Sequence, residues 1–198
     1  MNPRCDALLV IVFGFVAPVV VVATGVIPFA FRFLVLVVMT GLVLVLVKVR
    51  GFRAAELGLR RDNLVPSFTV NAVATAVGIA ILFIAAAAGR AHRMPVDEPW
   101  IFYVFYVIVS STSQEFLYRG FLFGELRRAG ITSGWMLTGV SAVLFAFLHV
   151  IYHDWPTVVM ALGFGVVLGA IYTRTNNLWG VCLTHSVLGA ASIAAGLV

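Results

Sequence analysis

Charge is what this chain has least of. Of its 198 residues only 11% are Asp, Glu, Lys or Arg, against 62% that are hydrophobic. Too little polar surface remains to cover a water-soluble core, which excludes a monomeric soluble domain and predicts an integral membrane protein. Cysteine is scarce as well: Cys5 and Cys182 form no CxxC pair, so neither a disulfide framework nor a thiolate metal site is supported. Internal repeats, low-complexity stretches and any polar segment long enough for a soluble domain are missing, and residues 1–198 read as a single membrane domain. The net charge is +5, but the basic residues fall between apolar runs without an aromatic-interleaved patch, which excludes nucleic acid as a partner.

What the chain does have is long hydrophobic runs. A hydrocarbon core ~30 Å thick takes ~20 apolar residues per helix. On that ruler the sequence divides into seven runs, 6–27, 29–49, 66–88, 100–123, 134–152, 157–173 and 177–197. They predict an all-α, polytopic membrane helix bundle of about seven transmembrane helices. The run from Ala7 to Ile27 outlasts a signal-peptide core and reads as an uncleaved first helix. Between the second and third runs, residues 51–61 mix apolar and basic side chains too closely to span, and read as an interfacial segment on the anionic inner leaflet.

Arg4, Lys48, Arg50, Arg53, Arg60, Arg61, Arg127, Arg128 and Arg174 fall on one side if the N-terminus is cytoplasmic, with Arg90 and Arg93 opposite. The positive-inside rule then sets that orientation, and puts Asp97, Glu98, His153 and Asp154 in outer loops. Trp100, Tyr103 and Tyr106 read as an aromatic belt at the outer edge of the fourth span. Gly14 and Pro18 permit a kink in the first span, and Gly163, Gly165 and Gly169 read as close helix contacts in the sixth.

Against this background, the fourth span carries Gln114, Glu115 and Arg119. An ionisable side chain at the bilayer centre costs ~3 kcal/mol or more and is a functional hypothesis by default. Arg119 follows Glu115 by four residues and shares its helical face, so a neutralised structural ion pair is the competing explanation. Two histidines on other spans, His149 and His185, shift the balance. A carboxylate and a histidine can bind and deprotonate a water, and a second histidine can donate to the oxyanion formed when that water attacks an amide. At ~1.5 Å rise per residue the three groups spread over ~11 Å of depth, so a shared site requires a bend near Gly120 or a polar cavity.

The ordered set resembles the CPBP group of intramembrane proteases, which includes the CAAX endoprotease and bacterial relatives tied to abortive infection or bacteriocin immunity. Gln114-Glu115-Phe116-Leu117-Tyr118-Arg119 matches a Glu-Glu-x-x-x-Arg motif with one change, Phe145 to His149 matches Phe-x-x-x-His, and His185 heads a His-x-x-x-Asn motif with Gly189 in the asparagine position. The resemblance covers roughly residues 55–190. It implies a glutamate-type endopeptidase acting on a membrane-bound or lipidated peptide. In that reading Glu115 and His149 hold the water, His185 stabilises the oxyanion, and Arg119 orients the carboxylate. Gln114 stands where relatives have a second glutamate, and an amide accepts no proton usefully at neutral pH. Three explanations stay open: Glu115 alone is the base, the chain is an inactive binding or immunity protein of the same scaffold, or Gln114 is an engineered change. One carboxylate and two histidines also make a zinc-hydrolase ligand set. With no His-Glu-x-x-His and the ligands on three helices, the expectation is a site without metal or other cofactor. The expected surroundings are membrane lipid, in a bacterial or archaeal cytoplasmic membrane.

Overall fold

Helix α1, Pro3–Ala23, begins where the Asn2 side chain accepts the Arg4 N–H and Pro3 takes a first-turn position, at which no backbone N–H is needed. At Val12–Val16 it widens into a π-helical turn just ahead of Pro18, whose ring and missing N–H break the regular ladder. The computed structural model describes residues 2–90 and 99–197. Arg93, Asp97 and Glu98, expected in an outer loop, lie outside the described residues.

Among the described residues six further helices follow: α2 Phe29–Val49, α3 Leu64–Ala87, α4 over 100–128, α5 Gly134–Tyr152, α6 Trp155–Thr175 and α7 Leu178–Ala194. Helices α1, α2, α3, α5 and α6 are long and apolar enough to cross a membrane, and α7 is a shorter apolar helix of 17 residues. The protein is a polytopic helix bundle whose element ends fall within a few residues of the hydrophobic runs.

Helix α4 is the axis of the bundle. Glu115, Arg119, Phe121, Leu122 and Phe123 are all fully buried on it. Phe145 of α5, Leu168 and Tyr172 of α6 and Val181 of α7 close around them. Outward faces are apolar too, with Leu34, Val45, Val73, Phe83 and Ile84 exposed, as a hydrocarbon solvent requires. Contact between α5 and α6 is made through small residues: a methyl group on Gly165 would come 3.0 Å from Ala142 Cα, and one on Gly169 would come 3.1 Å from Thr138. Gly163, read as a third close contact, faces open space.

The segment between α2 and α3 is anchored on the bundle. It carries a single 3-10 turn, Ala54–Leu57. Leu57 is buried, Gly58 O accepts the Leu178 N–H at 2.8 Å, and Asn63 Nδ2 donates to Thr175 O at 2.6 Å. Asn177, which caps α7, donates from Nδ2 to Arg60 O and Asn63 Oδ1. Gly58 has φ +73°, and a Cβ there would come 2.5 Å from the Tyr172 hydroxyl, so only glycine fits. Of the segment's apolar residues Leu57, Phe52 and Leu59 pack on the core of the bundle, while Ala54 and Ala55 stay exposed. Its Glu56 bridges Arg53 and Arg128, and these hold its carboxyl below the usual carboxylate range, the Arg53 backbone N–H contributing most. Nearby, Arg50 joins Asp6 of α1 at 3.0 Å to Glu125 of α4 at 2.5 Å.

Candidate active site

Helix α4 does not run as a uniform α-helix. It opens into π turns at Tyr106–Ser110 and again at Phe116–Phe121, on either side of Ser111–Glu115. Such turns widen the helix and redirect side chains, and they recur at functional sites. The adjustment that the depth argument located near Gly120 is therefore distributed over two widened turns.

Between those turns sits the buried charge. Arg119 Nη1 donates to Glu115 Oε1 at 2.8 Å, and both side chains are wholly buried. Arg119 Nη2 donates to Gly165 O of α6 at 3.1 Å, and its guanidinium lies 4.6 Å over the Phe145 ring. The close approach of α6 that Gly165 permits is thus what brings a carbonyl within reach of the arginine. Glu115 Oε1 also receives His185 Nδ1 of α7 at 2.6 Å. Glu115 Oε2 is buried and has no hydrogen-bond partner among the described residues. One oxygen of the carboxylate is held twice and the other is buried without a partner among the described residues.

His149 ends α5, where the helix tightens into the 3-10 turn His149–Tyr152. Its Nδ1 pairs with Phe145 O at 2.8 Å. A carbonyl only accepts, so Nδ1 carries the proton and Nε2 of the neutral ring is a free acceptor. His149 makes no hydrogen bond to Glu115; the two histidines meet on the Phe145 ring, 4.9 Å and 5.5 Å from it centre to centre. Gln114 turns to α4 itself, donating from Nε2 to Ser110 Oγ at 3.1 Å, and takes no part in the Glu115 contacts. The structure therefore brings Glu115, Arg119 and His185 into direct contact, holds His149 beside them and sets Gln114 apart. Among the described residues no three His, Cys, Asp or Glu side chains gather as metal ligands.

Four residues escaped the sequence reading as neighbours of the site. Phe164 packs its edge on His185 at 5.3 Å. Ser111 and Ser186 pair at 2.6 Å between α4 and α7. Tyr106, read as an interfacial belt residue, instead packs inward, with its ring 6.3 Å from His185. Nothing in the spacing separates Tyr106 from Tyr103, because the π turn that starts at Tyr106 resets which way the helix faces.

A polytopic membrane bundle with a buried carboxylate, held by an arginine and facing histidines from two other helices, has the build of an intramembrane hydrolase. A family model described as type II CAAX prenyl endopeptidase Rce1-like matches residues 96–191, which take in Gln114, Glu115, Arg119, His149 and His185. Over residues 96–191 the chain is similar to the Rce1-like CAAX endopeptidase family. No curated protein and no solved structure shows significant similarity to it.

Proposed function

We propose that the protein is a glutamate-type intramembrane endopeptidase that cleaves a lipidated or membrane-embedded peptide. The observation that carries the reading is the asymmetry of Glu115: Oε1 is fixed by Arg119 and His185, while buried Oε2 has no partner among the described residues. A carboxylate so held keeps one oxygen aimed at a reactant without rearranging. Water bound between Glu115 Oε2 and His149 Nε2 gives up a proton to one of these acceptors as its oxygen attacks the peptide carbonyl. Arg119 orients the Glu115 carboxylate through its hydrogen bond to Oε1. His185, whose Nδ1 proton is committed to Glu115, donates from Nε2 to the oxyanion only as an imidazolium. No metal or other cofactor is required by this scheme. Domain extent and placement follow the same reading: one membrane domain in a bacterial or archaeal cytoplasmic membrane, with the N-terminus on the cytoplasmic side. The gathering of Arg50, Arg127 and Arg128 at the end of the bundle clamped by residues 51–63 supports that orientation.

The test is cleavage of a prenylated peptide ending in Cys-aliphatic-aliphatic-X by protein reconstituted in liposomes, with and without chelator. Cleavage that survives chelation and disappears in Glu115→Ala and His149→Ala supports the proposal; cleavage that persists in Glu115→Ala overturns it. Gln114→Glu, assayed alongside, separates a complete site from an impaired one. A non-enzymatic immunity or binding role draws on Gln114, whose amide takes no proton. That role is favoured if the parent leaves the peptide intact while a partner is retained by both the parent and Glu115→Ala.

A further inference from the structure

Gly189 lies on α7 one turn beyond His185, and the space its side chain would fill is taken. A Cβ at this position would overlap Tyr106 Oη and come 2.8 Å from Tyr106 Cζ. The phenol has entered from α4, stacked on Phe102 at 6.2 Å and packed edge-on to His185. Among the described residues its hydroxyl makes no hydrogen bond, and it lies within electrostatic range of Glu115.

Chemistry explains why a hydroxyl belongs there. Attack of water on a peptide carbonyl leaves negative charge on oxygen, and stabilising it takes hydrogen-bond donors already in place. In this site few donors are uncommitted: apart from the buried Arg119 Nε, which has no partner among the described residues, the donor nitrogens around Glu115 are already engaged. Neutral His185 spends its one proton on Glu115, neutral His149 spends its own on Phe145 O, and the Arg119 Nη atoms are bonded to Glu115 and Gly165 O. The Tyr106 hydroxyl is a donor in its neutral form and is committed to none of these. We infer that Tyr106 supplies the hydrogen bond to the oxyanion, and that Gly189 exists to admit it.

This inference rests on the peptidase reading above. In the step it describes, the water oxygen bonds to the carbonyl carbon, the carbonyl π pair moves onto oxygen, and the water proton goes to Glu115 or His149. Tyr106 keeps its proton and donates a hydrogen bond to the new oxyanion. On collapse the C–N bond breaks and the leaving amine takes the proton back.

The experiment uses the full chain in liposomes with the same prenylated peptide, and reads kcat, KM and thermal midpoint. Tyr106→Phe keeps the ring contacts with Phe102 and His185. It is expected to lower kcat ~10²-fold, in the range seen when one oxyanion donor is lost, with KM and the midpoint unchanged. Gly189→Asn alone is expected to lose activity through overlap with the phenol. Tyr106→Ala with Gly189→Asn, which offers an amide donor in the vacated space, is expected to recover at least about tenfold over Tyr106→Ala, a gain of ~1.4 kcal/mol in the barrier. Parental kcat in Tyr106→Phe, alongside an inactive Glu115→Ala, overturns the role of Tyr106 and leaves the peptidase reading standing. A parent that does not cut, or a Glu115→Ala that does, overturns the peptidase reading and this inference with it.

Discussion

His185 Nδ1 donates to Glu115 Oε1 at 2.6 Å, which keys the histidine of α7 to the carboxylate of α4. In the proposed mechanism Nδ1 fixes Glu115 and Nε2, in the imidazolium, donates to the oxyanion, and amide substitutions can divide these duties. Asparagine places its Nδ2 near the position of the histidine Nδ1 and offers nothing at Nε2. His185→Asn is therefore expected to unfold within about 1 kcal/mol of the parent, whereas His185→Ala, which strips a donor from a buried carboxylate, loses about 1–3 kcal/mol. Both are expected to lose peptide cleavage. Chemical denaturation in detergent, followed by cleavage assays on the same preparations, checks the split.

Arg119 and Glu115 form a wholly buried pair. Removing one partner strands the other, at a cost of roughly 3–5 kcal/mol. Arg119→Met is expected to destabilise by that order, and adding Glu115→Gln to it is expected to restore much of the stability without any activity. If the double variant is no more stable than Arg119→Met, the pair is not the source of the loss.

The clamp over the ends of α6 and α7 depends on Gly58 and Asn177. Gly58→Ala places a side chain in a left-handed backbone, which costs roughly 1–2 kcal/mol before Tyr172 is displaced. Asn177→Ala removes a helix cap worth about 1 kcal/mol together with its bonds to Arg60 and Asn63. Each is expected to lower the thermal midpoint, and limited proteolysis is expected to cut first within 51–63.

Glu56 gives the clamp a pH dependence. Its carboxyl is held below the ordinary range by the Arg53 N–H and by Arg128, so folding favours the ionised form. That contribution is present above the unfolded pKa, near 4.5, and is lost as pH falls through the lower folded value. A partly exposed bridge of this kind contributes about 0–1 kcal/mol. Glu56→Gln is expected to be slightly less stable than the parent at neutral pH and to match it once the carboxyl of the parent is protonated. A stability gap that stays constant across that range contradicts the assignment.

Much of this architecture was legible beforehand because the membrane imposes a length. Helix spans follow from runs of ~20 apolar residues, and a buried Glu115 with Arg119 four residues on could only be paired or functional. Contacts across helices were less legible. That His185 rather than His149 reaches Glu115 depends on α7 being drawn down onto Gly58, a backbone bond between residues 120 apart with no side-chain signature. The inward turn of Tyr106 depends on a π turn, which one-period reading of a helix cannot register. For residues 51–61 the pattern records an apolar face without saying that its Leu57 packs on the bundle.

Because Glu115 and Arg119 lie on one helix a single turn apart, α4 carries its own counter-ion. A lone carboxylate in a segment leaving the translocon would have to await a partner from a helix not yet made. Here the two charges enter the bilayer together as a nearly neutral unit, at a stage when the helix that bears His185 has still to be synthesised. Insertion of α4 is in this way uncoupled from the arrival of His185, which joins Glu115 from a helix made later.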